Sequence, residues 1–237
     1  MKFWKRKTKE PGSPSLVLPQ KNGEPVHNYP GAVVDNLRYT ITHIERNSPL
    51  PSRLAVVSAL REEGVTYLTQ ALAATLAHDM PVSVCVVDLN WWWPSTTMLA
   101  GQDNPGLAGV FTGEATVEEI IVPTGWPNMA LVPAGELPIE RRPVIARSQV
   151  LLQIMEQLSK EFDHLILDVP AVRATTDAVP LASLGDACCL VIRQGVTNAE
   201  DVRLALDEID HLPILGVILN QVMLKTPKAI LKFIPTD

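Results

Sequence analysis

The residues best suited to chemistry in this chain fall just past apolar runs. Asp88 follows VSVCVV, Asp168 follows HLIL and Asn220 follows LGVIL. A carboxylate at the end of a buried strand, facing a phosphate loop, is what a Mg²⁺–nucleotide site requires, because Mg²⁺ takes few protein oxygens and keeps several waters. A loop of that kind is present: LAVV at 54–57 runs through SALREEGVT into the alanine-rich YLTQALAATLA. A strand, a tight loop and a helix N-terminus aim backbone N–H groups and the helix dipole at one spot. Yet the loop has one glycine, no lysine and two adjacent glutamates, Glu62 and Glu63. A phosphate site, the relic of one and a plain connection all remain open, and both aspartates have a blander alternative as caps of the turns that follow them.

These residues need a sheet to place them. From Leu54 onward, short apolar runs alternate with helical patterns: the strands are LAVVSA, VSVCVVDL, MALVPAG, HLILDVP, ACCLVIRQ and ILGVILNQV, and the helices fall at 66–78, 116–122, 146–162, 176–184 and 198–211. Near-continuous apolar strands with helices between them imply a mostly parallel sheet covered on both faces, a three-layer α/β/α architecture. In such sheets ligands bind beyond the carboxyl ends of the strands, where Asp88, Asp168 and Asn220 stand.

At 237 residues, 46% hydrophobic and 19% charged, the chain suits one large α/β domain with a tail. A formal net charge of -6 excludes a general nucleic-acid binder, which needs clustered Lys and Arg. Cys85, Cys188 and Cys189 lie inside strand-like runs, and the adjacent pair must point to opposite faces of a sheet; this is a reduced pattern, not a disulfide framework or metal site. No apolar stretch is long enough to span a bilayer and no signal-peptide core is present, so a cytoplasmic protein is expected.

Residues 1–31, rich in Pro, Gly and Lys, read as a flexible basic arm; 32–224 as the domain; 225–237 as a C-terminal tail. MKFWKRKTK sets Phe3 and Trp4 among five basic residues, a mixture that makes weak contact with an anionic membrane surface or an acidic partner. The plainer alternative is a solvated basic terminus. VVDNLRYTITHIER at 33–46 is patterned as an amphipathic helix.

Taken in order, LRYTI at 37–41, VVSA and its loop, VVDLNWWWP at 86–94, GLAGVFTGEATVEEII at 106–121 and NMALVPAGELP at 128–138 form the first half of a colinear set. FDHLILDVPAV at 162–172, TDAVPLASLGDACCLVIRQGVT at 176–197 and LPILGVILNQV at 212–222 complete it. This set resembles the bacterial tyrosine kinases of capsular and exopolysaccharide synthesis, within the MinD/ParA-like P-loop NTPases, over roughly residues 33–222. The resemblance implies ATP or ADP with Mg²⁺ as cofactor. It puts Arg61, Glu63, Gly64, Val65, Thr66 and Tyr67 in the nucleotide loop and Asn220 near the adenine. It makes Thr66, Asp88 and Asp168 the metal set, with Asp88 and Asp168 catalytic if the protein is active.

Departures from the family pattern bear on activity. The family loop is similar to Pro-Gly-Glu-Gly-Lys-Ser/Thr, whereas Arg61, Glu62, Glu63, Gly64, Val65 and Thr66 stand here. Val65 replaces the lysine that neutralises phosphate, and losing such a donor costs about 2–4 kcal/mol in the transition state. Glu62 replaces a glycine and adds negative charge beside an anion. Arg61 is long enough to stand in for the lysine, though it sits at the mouth of the loop. Where the family has Asp-x-Asp-x-Arg-Arg-Pro, this chain has Asp88, Leu89, Asn90, Trp91, Trp92, Trp93 and Pro94. Asn90 can accept a hydrogen bond but is no base, and three consecutive tryptophans cannot all point one way, so at least one is exposed or covers a pocket.

The family's Glu-x-x-Arg-x-x-Arg assembly helix aligns with Ala32, Asp35 and Arg38, which leaves a homo-oligomer open. Tyr29, Tyr39 and Tyr67 are scattered, unlike the tyrosine cluster such kinases phosphorylate. The expected role is therefore a degenerate kinase-like regulator or scaffold, working with a membrane-embedded polysaccharide chain-length or export protein at the inner face of the cell membrane. An active kinase or ATPase of the same family, and a MinD/ParA-like positioning protein, are the two rival readings.

Overall fold

The structure, a computed structural model, describes residues 14–93 and 104–221. The chain forms β1 (Leu16–Pro19), β2 (Pro25–Tyr29), α1 (Gly31–Asn47), β3 (Arg53–Ser58), α2 (Val65–Asp79), β4 (Val84–Asp88) and α3 (Gly106–Thr112). There follow β5 (Val122–Pro123), β6 (Met129–Val132), a 3₁₀ turn at Ile139–Arg141, α4 (Arg142–Ile145), α5 (Gln149–Glu161) and β7 (His164–Asp168). The order closes with α6 (Ala178–Ala182), β8 (Ala187–Arg193), α7 (Ala199–Glu208) and β9 (Ile214–Asn220).

Seven strands make one sheet in the order β5-β6-β4-β7-β3-β8-β9, all parallel except β5, which runs antiparallel to β6. The six strands read from the sequence all appear. Side chains on the two faces build two apolar clusters: Val57, Val87, Leu151, Met155 and Leu190 belong to one, Leu54, Val86, Leu72, Ile166 and Val191 to the other. Cys188 falls in the first cluster and Cys189 in the second, so the doublet does straddle the sheet. Burial pushes the thiols up, to about 11 for Cys188 and about 12 for Cys189.

Helix α2 is buried on nearly every side, which explains why its alanine-rich sequence lacks a polar stripe. Its hydroxyls are satisfied locally, Thr69 Oγ1 donating to the Val65 carbonyl at 2.9 Å and Thr75 Oγ1 to that of Ala71 at 2.7 Å. Arg38 of α1 grips Asp79 at the end of α2 through Nε at 2.6 Å and an Nη at 2.9 Å, and also pairs with Asp35 at 3.2 Å. At the start of β3, Arg53 and Asp186 clamp each other. The Arg53 N–H and guanidinium donate to the Asp186 carboxylate at 2.9 and 2.8 Å, and the Asp186 N–H donates to the Arg53 carbonyl at 2.8 Å.

Two expectations fail. The arm expected over residues 1–31 gives way to a hairpin from Leu16 to Tyr29, paired Leu16 to Tyr29 and turned at Gly23, whose φ of 86° suits glycine. Alternation sends Leu16, Leu18 and Tyr29 into the cluster under α2, and that burial outweighs the local Pro and Gly content. Residues 1–13, and the tail at 225–237, lie outside the described residues. The helix expected at 116–122 is a single turn, closed by the Thr116 N–H donating to Glu119 Oε2 at 2.8 Å, before β5 begins at Val122. Pro123 disfavours a helical Val122, and the preceding helix, α3, has already stopped at left-handed Gly113.

Candidate nucleotide site

The loop from Ser58 to Tyr67 leaves the carboxyl end of β3 and enters α2, bordering a cavity of about 380 Å³. Asn90, Trp93, Asp168 and the backbone after it, Val169 to Ala171, form the other walls. Two strand ends, β3 and β7, and the turn after β4 thus converge where a parallel sheet presents its ligand face.

The cavity floor is set by helix α2. Its N-cap is Gly64, left-handed at φ 91°, and no side chain caps the helix. The N–H groups of the first turn, on Val65, Thr66 and Tyr67, have no partner within the helix, which makes this end a seat for an anion. Gly64 is required twice over: for its φ, and because a Cβ there would lie 2.3 Å from Asn220 Nδ2. Asn220, at the end of β9, donates that amide to the Glu63 carbonyl at 2.8 Å and so holds the loop from behind; it does not line the cavity.

The two loop glutamates behave differently. Glu62 is exposed and left-handed at φ 64°, a conformation that costs a side-chain-bearing residue roughly 1–2 kcal/mol. Glu63 is buried and its carboxylate turns back into the protein. It accepts the Leu60 N–H at 2.8 Å, the Arg193 N–H at 3.3 Å and the Thr197 hydroxyl. The negative charge of Glu63 is therefore spent on fastening the loop to the end of β8.

Val65, at the position of the family lysine, is absorbed into the apolar cluster under α2. Tyr67 is 38% exposed on the cavity rim, its ring 5.5 Å from that of Tyr29, and burial raises the pKa of its hydroxyl.

Asp88 and Asp168 end adjacent strands in register, and both are buried. Asp88 Oδ1 accepts the Asn90 N–H at 2.8 Å. Neither oxygen of Asp168 has a hydrogen-bond partner. Burial first, then the neighbouring Asp88 charge, push the Asp168 carboxyl well above the usual range, with the nearby Thr66 hydroxyl opposing. An unpartnered buried carboxyl beside a second one is costly unless a cation or donor arrives. Among the described residues no cluster of three or more His, Cys, Asp or Glu can hold a metal alone. A cation here needs ligand oxygens as well, which is the habit of Mg²⁺ with phosphates. The orphaned Asp168 and the uncapped α2 thus fit a magnesium–polyphosphate complex, held by Asp168, Asp88 and Thr66 at the metal and by the loop N–H groups at phosphate. Bound there, the metal would neutralise phosphate charge.

The tryptophan triplet splits three ways. Trp91 is buried, its Nε1 donating to the Ala134 carbonyl at 2.9 Å; Trp92 lies under the Arg142 guanidinium at 5.3 Å; Trp93, 38% exposed, faces the cavity. Arg61 stacks on Trp93, 3.6 Å from its ring centroid. The structure thus gathers Arg61, Gly64, Val65, Thr66, Tyr67 and Asp168 around one cavity, with Asp88 buried beside it and Glu63 and Asn220 holding the loop. Sequence reasoning missed Thr197 and Arg193, which carry no motif, and the pairing of Trp93 with Arg61; the triplet itself had signalled a ring over a pocket.

The fold is that of the MinD/ParA-like P-loop class. MinD of Pyrococcus horikoshii, solved with Mg-ADP, superposes with a TM-score of 0.60 at 24% identity, covering 78% of this chain and 77% of that one. The kinase domain of Escherichia coli tyrosine kinase ETK superposes with a TM-score of 0.73 at 23% identity, over 82% and 78%. No protein-family model matches the chain. Tyrosine-protein kinase CpsD of Streptococcus agalactiae is 27% identical over 184 residues, 76% of this chain and 80% of its own length. Tyrosine-protein kinase ptk of Acinetobacter johnsonii is 24% identical over 214 residues, and the succinoglycan biosynthesis transport protein ExoP of Rhizobium meliloti 28% over 204. These matches cover 87% and 80% of this chain but 29% and 26% of those two proteins. In sequence and in fold the chain is thus similar to the bacterial tyrosine kinases of this class.

Proposed function

We propose that this chain is a catalytically impaired member of its kinase family that works as a regulator or scaffold in exopolysaccharide or capsule synthesis and export. The observation that carries the reading is Val65. Its side chain sits in the core, so no ammonium reaches the phosphates from the position that supplies one in the family. That loss is worth about 2–4 kcal/mol of transition-state stabilisation, or roughly two to three decades in rate. Exposed Glu62 adds a carboxylate on the phosphate side of the loop. Thr66, Asp88 and Asp168 would still hold the metal and position a nucleotide.

The polysaccharide context is supported by similarity to ExoP, a succinoglycan biosynthesis transport protein. A membrane-embedded chain-length or export protein is the proposed partner, met at the inner face of the membrane. No helix among the described residues is long and apolar enough to cross a membrane.

Purified protein incubated with MgATP should release no phosphate and acquire no phosphotyrosine above a no-enzyme control. Robust turnover abolished by Asp88→Asn would overturn the proposal, and co-purification with a membrane-embedded chain-length or export protein from the same organism tests the scaffold role.

A further inference from the structure

We propose that Arg61, seated on Trp93, supplies the cation that Val65 cannot and lets the cavity hold a magnesium nucleoside polyphosphate. This rests on the P-loop reading of the site but not on the loss of phosphoryl transfer.

The first observation is the stack itself. With its guanidinium 3.6 Å from the Trp93 centroid, Arg61 is held on the cavity side of the loop. A guanidinium held over an indole face by cation–π attraction still has N–H groups with which to bind phosphate oxygens. The second is charge. Arg38, Arg53, Arg147, Arg173 and Arg203 each sit on a carboxylate; of the described arginines that do not, Arg61 is the one that lines the cavity. Its charge is available to an incoming anion.

The shelf beneath it is also built. The Trp93 N–H donates to the Asn90 carbonyl at 3.2 Å and to its side-chain oxygen at 3.3 Å, while the Asn90 N–H donates to Asp88 at 2.8 Å. Trp91, buried and bonded to Ala134, pins the other end of the triplet. Arg61 is therefore tied, through Trp93 and Asn90, to one of the two buried carboxylates.

Finally, the cavity asks for both signs of charge at once. The uncapped N-terminus of α2 seeks an anion, and Asp168, 1% exposed with both oxygens unpartnered, seeks a cation. A polyphosphate with its divalent metal satisfies both. Two substitutions that look like losses then become one exchange: arginine enters at the loop mouth, and the aligned arginine of the second motif becomes the tryptophan that carries it.

The test is titration of the full chain with Mg-ADP and Mg-ATP, followed by calorimetry and by tryptophan emission, in which the share of Trp93 is the signal lost in Trp93→Leu. Wild type should bind with a change in emission. Arg61→Ala should weaken binding tenfold or more, about what loss of one charge-assisted contact produces. Trp93→Leu should weaken it less, and Val65→Lys added to Arg61→Ala should restore it. Thermal melts of each variant without ligand control for folding, and the restoring variant keeps the test sound if Arg61→Ala is unstable. No binding by wild type at millimolar nucleotide, or an Arg61→Ala affinity within about twofold of wild type, would overturn the inference. Either result leaves the scaffold reading intact, whereas measurable phosphoryl transfer by wild type would defeat that reading and leave the role of Arg61 standing.

Discussion

Substituting Glu63 by alanine removes both carboxylate oxygens from a closed site that receives the Leu60 N–H, the Arg193 N–H and the Thr197 hydroxyl. Two of these donors keep a second partner. The Arg193 N–H also reaches Thr197 Oγ1 at 3.0 Å, and the Thr197 hydroxyl reaches the Arg193 carbonyl at 3.2 Å. The Leu60 N–H is left stranded. A buried donor without an acceptor costs about 1–3 kcal/mol, and the hole left by the missing side-chain atoms adds to that, so a loss of about 3 kcal/mol is expected. For a protein of this size that lowers the melting temperature by roughly 6–12 °C. Circular dichroism melts of Glu63→Ala and Glu63→Gln should place the glutamine variant between alanine and wild type, since one amide oxygen still accepts. A cycle with Thr197→Val should give a coupling of about 1 kcal/mol. A melt of Glu63→Ala within about 1 °C of wild type would refute the view that this glutamate fastens the loop.

Glu62→Gly should raise stability by roughly 0.5–1 kcal/mol, because relief of a left-handed glutamate exceeds the entropy that glycine adds to the unfolded chain; a lower urea midpoint would contradict this. Gly64→Ala should cost about 2 kcal/mol or more, and Asn220→Ala should recover part of it by removing the amide 2.3 Å from the new Cβ; strictly additive urea midpoints would argue against that contact. The Arg38 hydrogen bond holds Asp79 below the usual carboxylate range, so this pair stabilises fully above the unfolded value of about 3.9 and is lost as pH falls through the lower folded value. The stability gap between wild type and Arg38→Ala should therefore close on acidification, and a gap independent of pH would refute the pairing.

The sheet was legible because buried parallel strands are apolar on both faces and separated by helix-length segments, as HLIL and LGVIL are. The hairpin was not, although Leu16 and Leu18 alternate, because its strands are only four and five residues long and flanked by Pro and Gly. At the site, the residue types and their order placed the loop, Asp88 and Asp168. What no local pattern carries is where a side chain turns. Whether Glu63 faces phosphate or folds inward depends on Thr197, 134 positions away, and whether Arg61 is free or held depends on the third of three tryptophans. Both are tertiary contacts between segments whose own propensities are satisfied either way.

The clamp between Arg53 and Asp186 governs strand slippage. Strand β8, ACCLVIR, has apolar side chains on both faces, so sliding it by one residue against β3 exchanges one buried hydrophobe for another with little penalty. Such a slide would carry Asp186 about 3.3 Å along the strand and break its reciprocal bonds to the Arg53 peptide. The far end of β8 would move with it, taking the Arg193 N–H away from Glu63. An ion pair at the opposite end of these strands thus acts as an index mark, deciding which peptide arrives beneath the loop.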